Sequence, residues 1–127
     1  MSFRTAQKAA MILVVDDDPD VLDLAVMVLR DEGYRVVSAS DATAALAVLR
    51  ATPEIDLLFT DIAMPGGKDG FDLAHEAKHL RPELRVLYTS GFVKDMSRAE
   101  GTCEHGRMLA KPWRPRQLVA AVCDALT

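Results

Sequence analysis

The sequence contains no apolar stretch that could cross a membrane. Its longest uninterrupted apolar run, from Ala9 to Val15, has seven residues, whereas a membrane-spanning helix needs about 20. The first ten residues include Arg4 and Lys8 but no separate apolar segment followed by a cleavage site, which is unlike a secretory signal. We therefore expect no membrane association and a cytoplasmic location.

Cysteine and clustered positive charge are also scarce. The two cysteines, Cys103 and Cys123, form no CxxC pair and have no histidine at zinc-ligand spacing, which is typical of reduced thiols without a functional role. The net charge is −4, and no run of lysine and arginine is present. Because DNA binding depends on concentrated positive charge, we expect no nucleic-acid partner.

What the sequence does contain is a regular alternation of apolar patterns. Half of the 127 residues are apolar, enough for one domain to bury a core without disulfides or a structural metal. Short runs rich in β-branched residues alternate with segments of helical periodicity. The predicted strands cover 11–15, 35–39, 57–60, 86–89 and 107–110, and the predicted helices cover about 19–32, 41–51, 71–80 and 115–126.

This order of elements predicts an α/β fold with a doubly wound, five-stranded parallel sheet and helices on both faces. Asp18 and Pro19 are expected to begin the first helix, and Gly33 to follow its end. A further helix in 93–106 is expected to be short or irregular, because its apolar pattern is weak and it contains several breaker residues. The periodicity of the last helix places Cys123 in the core.

Polar residues follow the carboxyl ends of four predicted strands, where parallel sheets bind ligands. They are Asp16, Asp17 and Asp18 after the first strand, Asp61 after the third, Ser90 after the fourth and Lys111 after the fifth. Neighbouring carboxylates resist ionising together unless a cation lies among them, and oxygen ligands favour Mg²⁺. With a lysine and a hydroxyl beside them, these residues predict phosphoryl transfer with a carboxylate as the nucleophile.

Four motifs carry a more specific signal. They are VVDDDP at 14–19, FTDIAMPGGKDG at 59–70, YTSG at 88–91 and LAKPW at 109–113. In this order and spacing they resemble the receiver domain of two-component response regulators, over nearly the whole chain. The resemblance implies a receiver domain at 11–127 behind an N-terminal extension of residues 1–10. It also implies a flavodoxin-like sheet with the strand order 2-1-3-4-5.

The resemblance further implies a metal site and a phosphoacceptor. Asp61 would accept the phosphoryl group. Mg²⁺ would be bound by the side chains of Asp17 and Asp61 and by the backbone carbonyl of Ala63, with Asp16 acting largely through water. Ser90 takes the position of the switch hydroxyl, and Lys111, with a cis peptide bond to the following proline, would pair with the phosphoryl group.

The phosphoryl donor implied by the resemblance is a phosphohistidine on a histidine kinase or a histidine phosphotransfer protein. A G-x-x-x-x-G-K loop is not present in the sequence, so direct transfer from bound ATP is not expected. The domain would not be an enzyme with a separate substrate, because it catalyses its own phosphorylation and its own slow dephosphorylation. We expect the signal to pass to a downstream protein target, since the chain shows no output domain.

Three features depart from the common family pattern. Met108 stands where an aromatic switch residue is usual. Gly66 and Gly67 lengthen the loop after the phosphoacceptor by one residue, as in receivers of hybrid histidine kinases. Ala63 and Phe92 flank the route of hydrolytic water in this family, and neither side chain can hydrogen-bond that water. We therefore expect dephosphorylation to depend on other proteins.

Two other classes of function are compatible with parts of the pattern. The apolar-D-x-D start of haloacid-dehalogenase-type phosphatases would make Asp16 the nucleophile and Asp18 the general acid. That family needs a later acidic motif that is missing, and the scheme leaves Asp61 without a role. Asp18 and Asp20 also fit simple capping of the first helix.

The second class is a receiver-like scaffold that binds a partner without being phosphorylated.

The sequence H-E-x-x-H at 75–79 resembles the zinc site of metalloproteases, in which two histidines lie one helical turn apart. The helical periodicity turns Leu73, Ala77 and Leu80 toward the sheet, so both histidines are expected to face solvent. With no third ligand evident, we do not expect a metalloprotease.

Overall fold

The computed structural model describes residues 9–91 and 106–127. It contains five strands: β1 (Met11–Val15), β2 (Arg35–Ala39), β3 (Ile55–Asp61), β4 (Arg85–Ser90) and β5 (Gly106–Ala110). The helices of the described residues are α1 (Pro19–Asp31), α2 (Ala42–Ala51), α3 (Gly70–Leu80) and α4 (Pro115–Leu126). All strand pairs are parallel, in the order β2-β1-β3-β4-β5. The predicted fold and strand order are confirmed.

The largest difference from the predicted strands is at the start of β3, which begins at Ile55, two residues early. Asp56 is exposed and polar, which made this position resemble a loop. In the structure its carboxylate accepts a hydrogen bond from the backbone N–H of Met11 at 2.9 Å. The predicted helix in 93–106 lies outside the described residues, apart from Gly106, which begins β5.

Capping residues set the position of α1, as predicted. The Asp18 side chain accepts hydrogen bonds from the backbone N–H groups of Asp20 and Val21 at 2.9 and 3.4 Å. Pro19 follows in the first turn, where a missing N–H has no cost. At the other end Gly33 has φ of 98°, a left-handed conformation that glycine adopts without strain.

The core has two layers, one on each face of the sheet, because successive strand residues point to opposite faces. Helices α1 and α4 cover one face, and α2 and α3 cover the other. The strand residues beneath α1 and α4 are Ile12, Val14, Val36, Leu57, Phe59 and Leu87. Those beneath α2 and α3 are Leu13, Val15, Ala39, Ile55, Leu58, Val86 and Tyr88. Burial on both faces explains the nearly continuous apolar strands.

Two core predictions are wrong, both at the margins of helices. Cys123 is exposed, because the fully buried stripe of α4 is narrow and consists of Leu118 and Val122. Leu80 is 43% exposed at the last residue of α3. At that end Arg81 contacts the sheet instead, with its guanidinium donating to the carbonyls of Thr52 and Ile55 at 3.3 and 2.7 Å.

None of the helices in the described residues is long and apolar enough to cross a membrane.

Candidate functional site

The carboxyl ends of the strands bring the predicted site residues to one edge of the sheet. Asp16 directly follows β1 and Asp61 ends β3, its neighbour in the sheet. Ser90 ends β4, and Lys111 directly follows β5. Asp16 and Asp61 are only 3% and 6% exposed, and Ser90 is completely buried. Residues far apart in the chain therefore meet because parallel strands end together.

Three carboxylates form the acidic part of the site. One oxygen from each of Asp16, Asp17 and Asp61 lies within 4.8 Å of the others. Asp17 is exposed whereas the other two are buried, so the cluster opens to solvent on one side. Such an all-oxygen group, with room for water, has the chemistry that Mg²⁺ requires. The residues present fit this ion.

The Lys111 ammonium bridges the two buried carboxylates. Its Nζ lies 2.9 Å from Oδ2 of Asp16 and 3.2 Å from Oδ2 of Asp61. The other oxygen of Asp16 accepts a hydrogen bond from the backbone N–H of Asp18 at 2.9 Å. Both Asp16 oxygens therefore have protein partners, which is compatible with a water-mediated role toward a metal.

Burial and charge shift the acid–base properties of this pair. Burial raises the pKa of the Asp61 carboxyl above its ordinary value; the Lys111 charge opposes this rise, and the charges of Asp16 and Asp17 add to it. For Lys111, burial alone would lower the pKa, but hydrogen bonds and charge from Asp16 and Asp61 raise it. The lysine is therefore positively charged, which offsets part of the repulsion among the carboxylates.

Backbone contacts fix the distances among the strand ends. The N–H of Lys111 donates to the carbonyl of Ser90 at 3.0 Å, and the N–H of Ile62 donates to the carbonyl of Thr89 at 3.0 Å. Ala63 follows, half-buried, two residues after Asp61. The peptide bond between Lys111 and Pro112 is cis, as the resemblance implied.

Comparison with known proteins agrees with this geometry. A family model described as the response regulator receiver domain matches residues 12–123, a span that includes all four sequence motifs. The chain belongs to the response regulator receiver domain family. Membership implies phosphoacceptor signalling in a two-component system.

Individual relatives are similar over most of this receiver. It is 32% identical over 109 residues to the response regulator receiver protein CpdR of Brucella abortus, covering 85% of this chain and 89% of CpdR. A crystallised receiver domain from Clostridium thermocellum has 28% identity and a TM-score of 0.83, covering 92% and 94% of the two chains. The receiver domain of the hybrid histidine kinase CckA has 30% identity and a TM-score of 0.79, covering 93% and 100%. The chain spans about half or less of the length of other curated relatives.

Two buried threonines that support the site were not predicted from the sequence. The Thr60 hydroxyl donates to the carbonyl of Asp61 at 2.9 Å, and the Thr89 hydroxyl donates to the carbonyl of Leu109 at 2.7 Å. Each threonine is the last residue but one of its strand. The sequence feature that could have identified them is a hydroxyl next to the end of an otherwise apolar strand, because a buried hydroxyl needs a hydrogen-bond partner.

The structure describes Met108, Gly66 and Gly67, at which this receiver departs from the family pattern. Met108 is half-buried and packs on the core layer beneath α2 and α3. Its register partner on β4 is Tyr88, whose ring centroid lies 5.0 Å from that of Phe71. Gly66 and Gly67 have φ of 93° and 85°, which explains glycine at both positions. Phe92 lies outside the described residues.

Neither competing enzyme class gains support from the receiver structure. The Asp18 carboxylate caps α1, and it does not belong to the group formed by Asp16, Asp17 and Asp61. His75 and His79 are exposed, as predicted. Within the described residues no third histidine, cysteine or acidic ligand stands close enough to complete a protease-type zinc site with them.

Proposed function

We propose that this chain is the phosphoacceptor switch of a two-component phosphorelay, with Asp61 taking a phosphoryl group from phosphohistidine on a histidine kinase or histidine phosphotransfer protein. One observation carries the proposal. The buried carboxylate of Asp61 has a lysine ammonium 3.2 Å away and two further carboxylates within 4.8 Å, at the carboxyl edge of a parallel sheet. This combines a nucleophile, a cation site and a positive charge for the phosphoryl oxygens.

In the proposed transfer, a bond forms between a carboxylate oxygen of Asp61 and phosphorus. The bond between phosphorus and the donor imidazole nitrogen breaks, and the imidazole leaves with the bonding electrons. Lys111 and the Ser90 hydroxyl contact the phosphoryl oxygens. Mg²⁺, when bound, supplies further positive charge that offsets the charge of the phosphoryl group. Asp16, Asp17, Asp61 and the backbone carbonyl of Ala63 are the residues that would hold it.

The proposed switch operates through contacts that exist only with the phosphoryl group. A shift from 1% to 99% active requires about 5.5 kcal/mol of differential stabilisation. Hydrogen bonds to charged groups contribute roughly 1.5 to 3 kcal/mol each. Two such contacts, from Ser90 and Lys111, nearly supply that amount. We assign residues 11–127 to the receiver domain, and the surface of β5 and α4 to contact with a downstream protein.

The first test is the intact-protein mass after incubation with acetyl phosphate. With Mg²⁺ present we expect one phosphoryl adduct, which borohydride reduction and peptide mapping locate at Asp61. Without Mg²⁺ the adduct should fall at least tenfold, because the charge of the incoming phosphoryl group is then poorly offset. A folded protein that forms no adduct with Mg²⁺, or forms it at another residue, would contradict the proposal.

Ser90→Ala is expected to separate phosphorylation from switching. The variant should still take up a phosphoryl group, because the nucleophile and the lysine remain. Losing one charge-assisted hydrogen bond should lower the equilibrium constant between the active and inactive forms at least tenfold. The measurement is the set of phosphorylation-dependent amide chemical-shift changes in β5 and α4. Ser38→Ala, at an exposed position of β2, is the matched control. Full shift changes in phosphorylated Ser90→Ala would disprove the switch role.

A further inference from the structure

Outside the carboxylate site, metal-ligating side chains also meet on the exposed side of α3. His75 and His79 stand one helical turn apart, and both are exposed. Their ring centroids are 4.8 Å apart and their planes are inclined at 81°. The pair is exposed to solvent and does not belong to the group formed by Asp16, Asp17 and Asp61.

We propose that His75 and His79 form a second metal site, which binds one late first-row transition-metal ion of the Cu²⁺, Ni²⁺ and Zn²⁺ class. The two imidazoles supply both protein ligands, and water completes the coordination. This site is separate from the magnesium site in position and in ligand chemistry.

The separation of the rings suits a shared ion. With a metal–nitrogen bond of about 2.0 Å, the ion lies roughly 3.2 Å from each ring centroid, so ligand angles of about 90° to 110° give centroids roughly 4.5 to 5.2 Å apart. The observed 4.8 Å lies within this interval. In the structure the two rings meet edge to face, so ion binding requires a change of side-chain torsion angles that brings one nitrogen of each ring to the ion.

Two lysines close to the histidines in the chain make contacts of their own. The nearby ammonium of Lys78 is held at the helix end, where it donates to the carbonyls of Pro82 and Leu84, both at 2.8 Å. The Lys68 ammonium is paired with the Glu76 carboxylate at 2.8 Å. These lysines are thus fixed by partners of their own. Exposed Asp72, one turn before His75, adds negative charge on the same side.

The ligand type determines which metals bind. Imidazole nitrogen suits copper, nickel and zinc, whereas Mg²⁺ requires oxygen ligands. For a given site of this kind, Cu²⁺ binds more tightly than Ni²⁺ or Zn²⁺. Within the described residues no third histidine, cysteine or acidic ligand completes the group in its present conformation. We therefore expect reversible binding of one ion by two nitrogen ligands, with a higher affinity for Cu²⁺ than for Ni²⁺ or Zn²⁺.

The test is a Cu²⁺ titration of the full chain with Cys103 and Cys123 both changed to serine, in saturating Mg²⁺. Calorimetry gives affinity and stoichiometry, and electron paramagnetic resonance counts the nitrogen ligands. We expect one ion with two imidazole nitrogens. His75→Gln and His79→Gln should each weaken binding at least tenfold. Glutamine is a good helix former, so these exposed changes leave α3 intact, which circular dichroism can verify.

His105→Gln is the matched control, because it removes the remaining histidine of the chain from a position outside the described residues. It should change the affinity less than twofold. Equal affinity in His75→Gln, His79→Gln and the parent would overturn the proposal, and so would a loss in His105→Gln as large as in either of them. Binding should also survive Asp61→Asn, so that failure here and failure of the phosphoacceptor proposal are separate results.

Discussion

Asp61→Asn is expected to abolish the phosphoryl adduct and, in the absence of Mg²⁺, to make the folded protein more stable. The amide is not a nucleophile toward phosphorus, so the loss of the adduct should be complete. The stabilisation follows from burial. An ionised carboxylate only 6% exposed, close to two others, is less stable there than a neutral amide of the same shape. Lys111 keeps its 2.9 Å contact with Asp16, so no cation is left unpaired.

The stability gained by Asp61→Asn should increase with pH. Because burial raises the pKa of Asp61 in the folded state, the unfolded chain releases this proton at lower pH than the folded protein does. The stability of the parent protein therefore falls as pH rises from the unfolded pKa, near 3.9, to the raised folded value. The stability of Asp61→Asn should not show this decrease, because an amide does not ionise. The variant's stability advantage should be absent below the unfolded pKa and full above the raised pKa of Asp61 in the folded protein.

Intact mass and thermal melting measure the two effects. A gain of one kcal/mol corresponds to about 4 °C in Tm for a domain of this size. Asp18→Asn is the matched control, because asparagine caps a helix as well as aspartate does. It should retain both phosphorylation and stability. The same control separates two chemistries, since Asp18 would be the general acid of a dehalogenase-type phosphatase. Loss of the adduct in Asp18→Asn together with its survival in Asp61→Asn would reject the receiver mechanism.

The sequence predicted which residues lie at the carboxyl edge of the sheet, because the parallel topology brings the strand ends there. Asp16 and Lys111 are distant in the chain, yet each follows a strand whose apolar pattern is clear, and their side chains lie 2.9 Å apart. The different contacts of the two Asp16 oxygens could not be predicted. They depend on the turn that lets the N–H of Asp18 reach one oxygen while the lysine reaches the other.

The core predictions failed where helical periodicity shows which side of a helix faces the sheet but does not show how wide the buried part of the helix surface is. Periodicity correctly turned Leu118 and Val122 of α4 toward the sheet. It also included Cys123, because helical spacing does not say how far the neighbouring elements extend around the helix. Leu80 failed for a related reason, since Arg81 makes the contacts with carbonyls at that end of α3. Both errors concern neighbours that only the folded structure identifies.

Gly70→Ala is expected to destabilise the fold and to slow phosphorylation together. Gly70 begins α3, where its N–H donates to the carbonyl of Ile62 at 2.7 Å. An added Cβ would overlap the Asp61 carbonyl oxygen and lie 2.8 Å from the Ile62 Cα. These neighbours are backbone atoms, so α3 or the end of β3 must move. Overpacking of this kind costs about 1 to 3 kcal/mol, and the displaced carboxylate should slow phosphorylation at least tenfold.

Chemical denaturation and the initial rate of adduct formation with acetyl phosphate measure these two losses. Gly91→Ala is the matched control at the same edge of the sheet. Its added Cβ would be 3.7 Å from the Cβ of Lys111, an ordinary van der Waals contact, so its free energy of unfolding should change by less than about 0.5 kcal/mol. Comparing the two variants separates the effect of a Cβ that collides with backbone atoms from the general effect of replacing a glycine by alanine. If Gly70→Ala were as stable and as reactive as Gly91→Ala, the start of α3 would not position the phosphoacceptor.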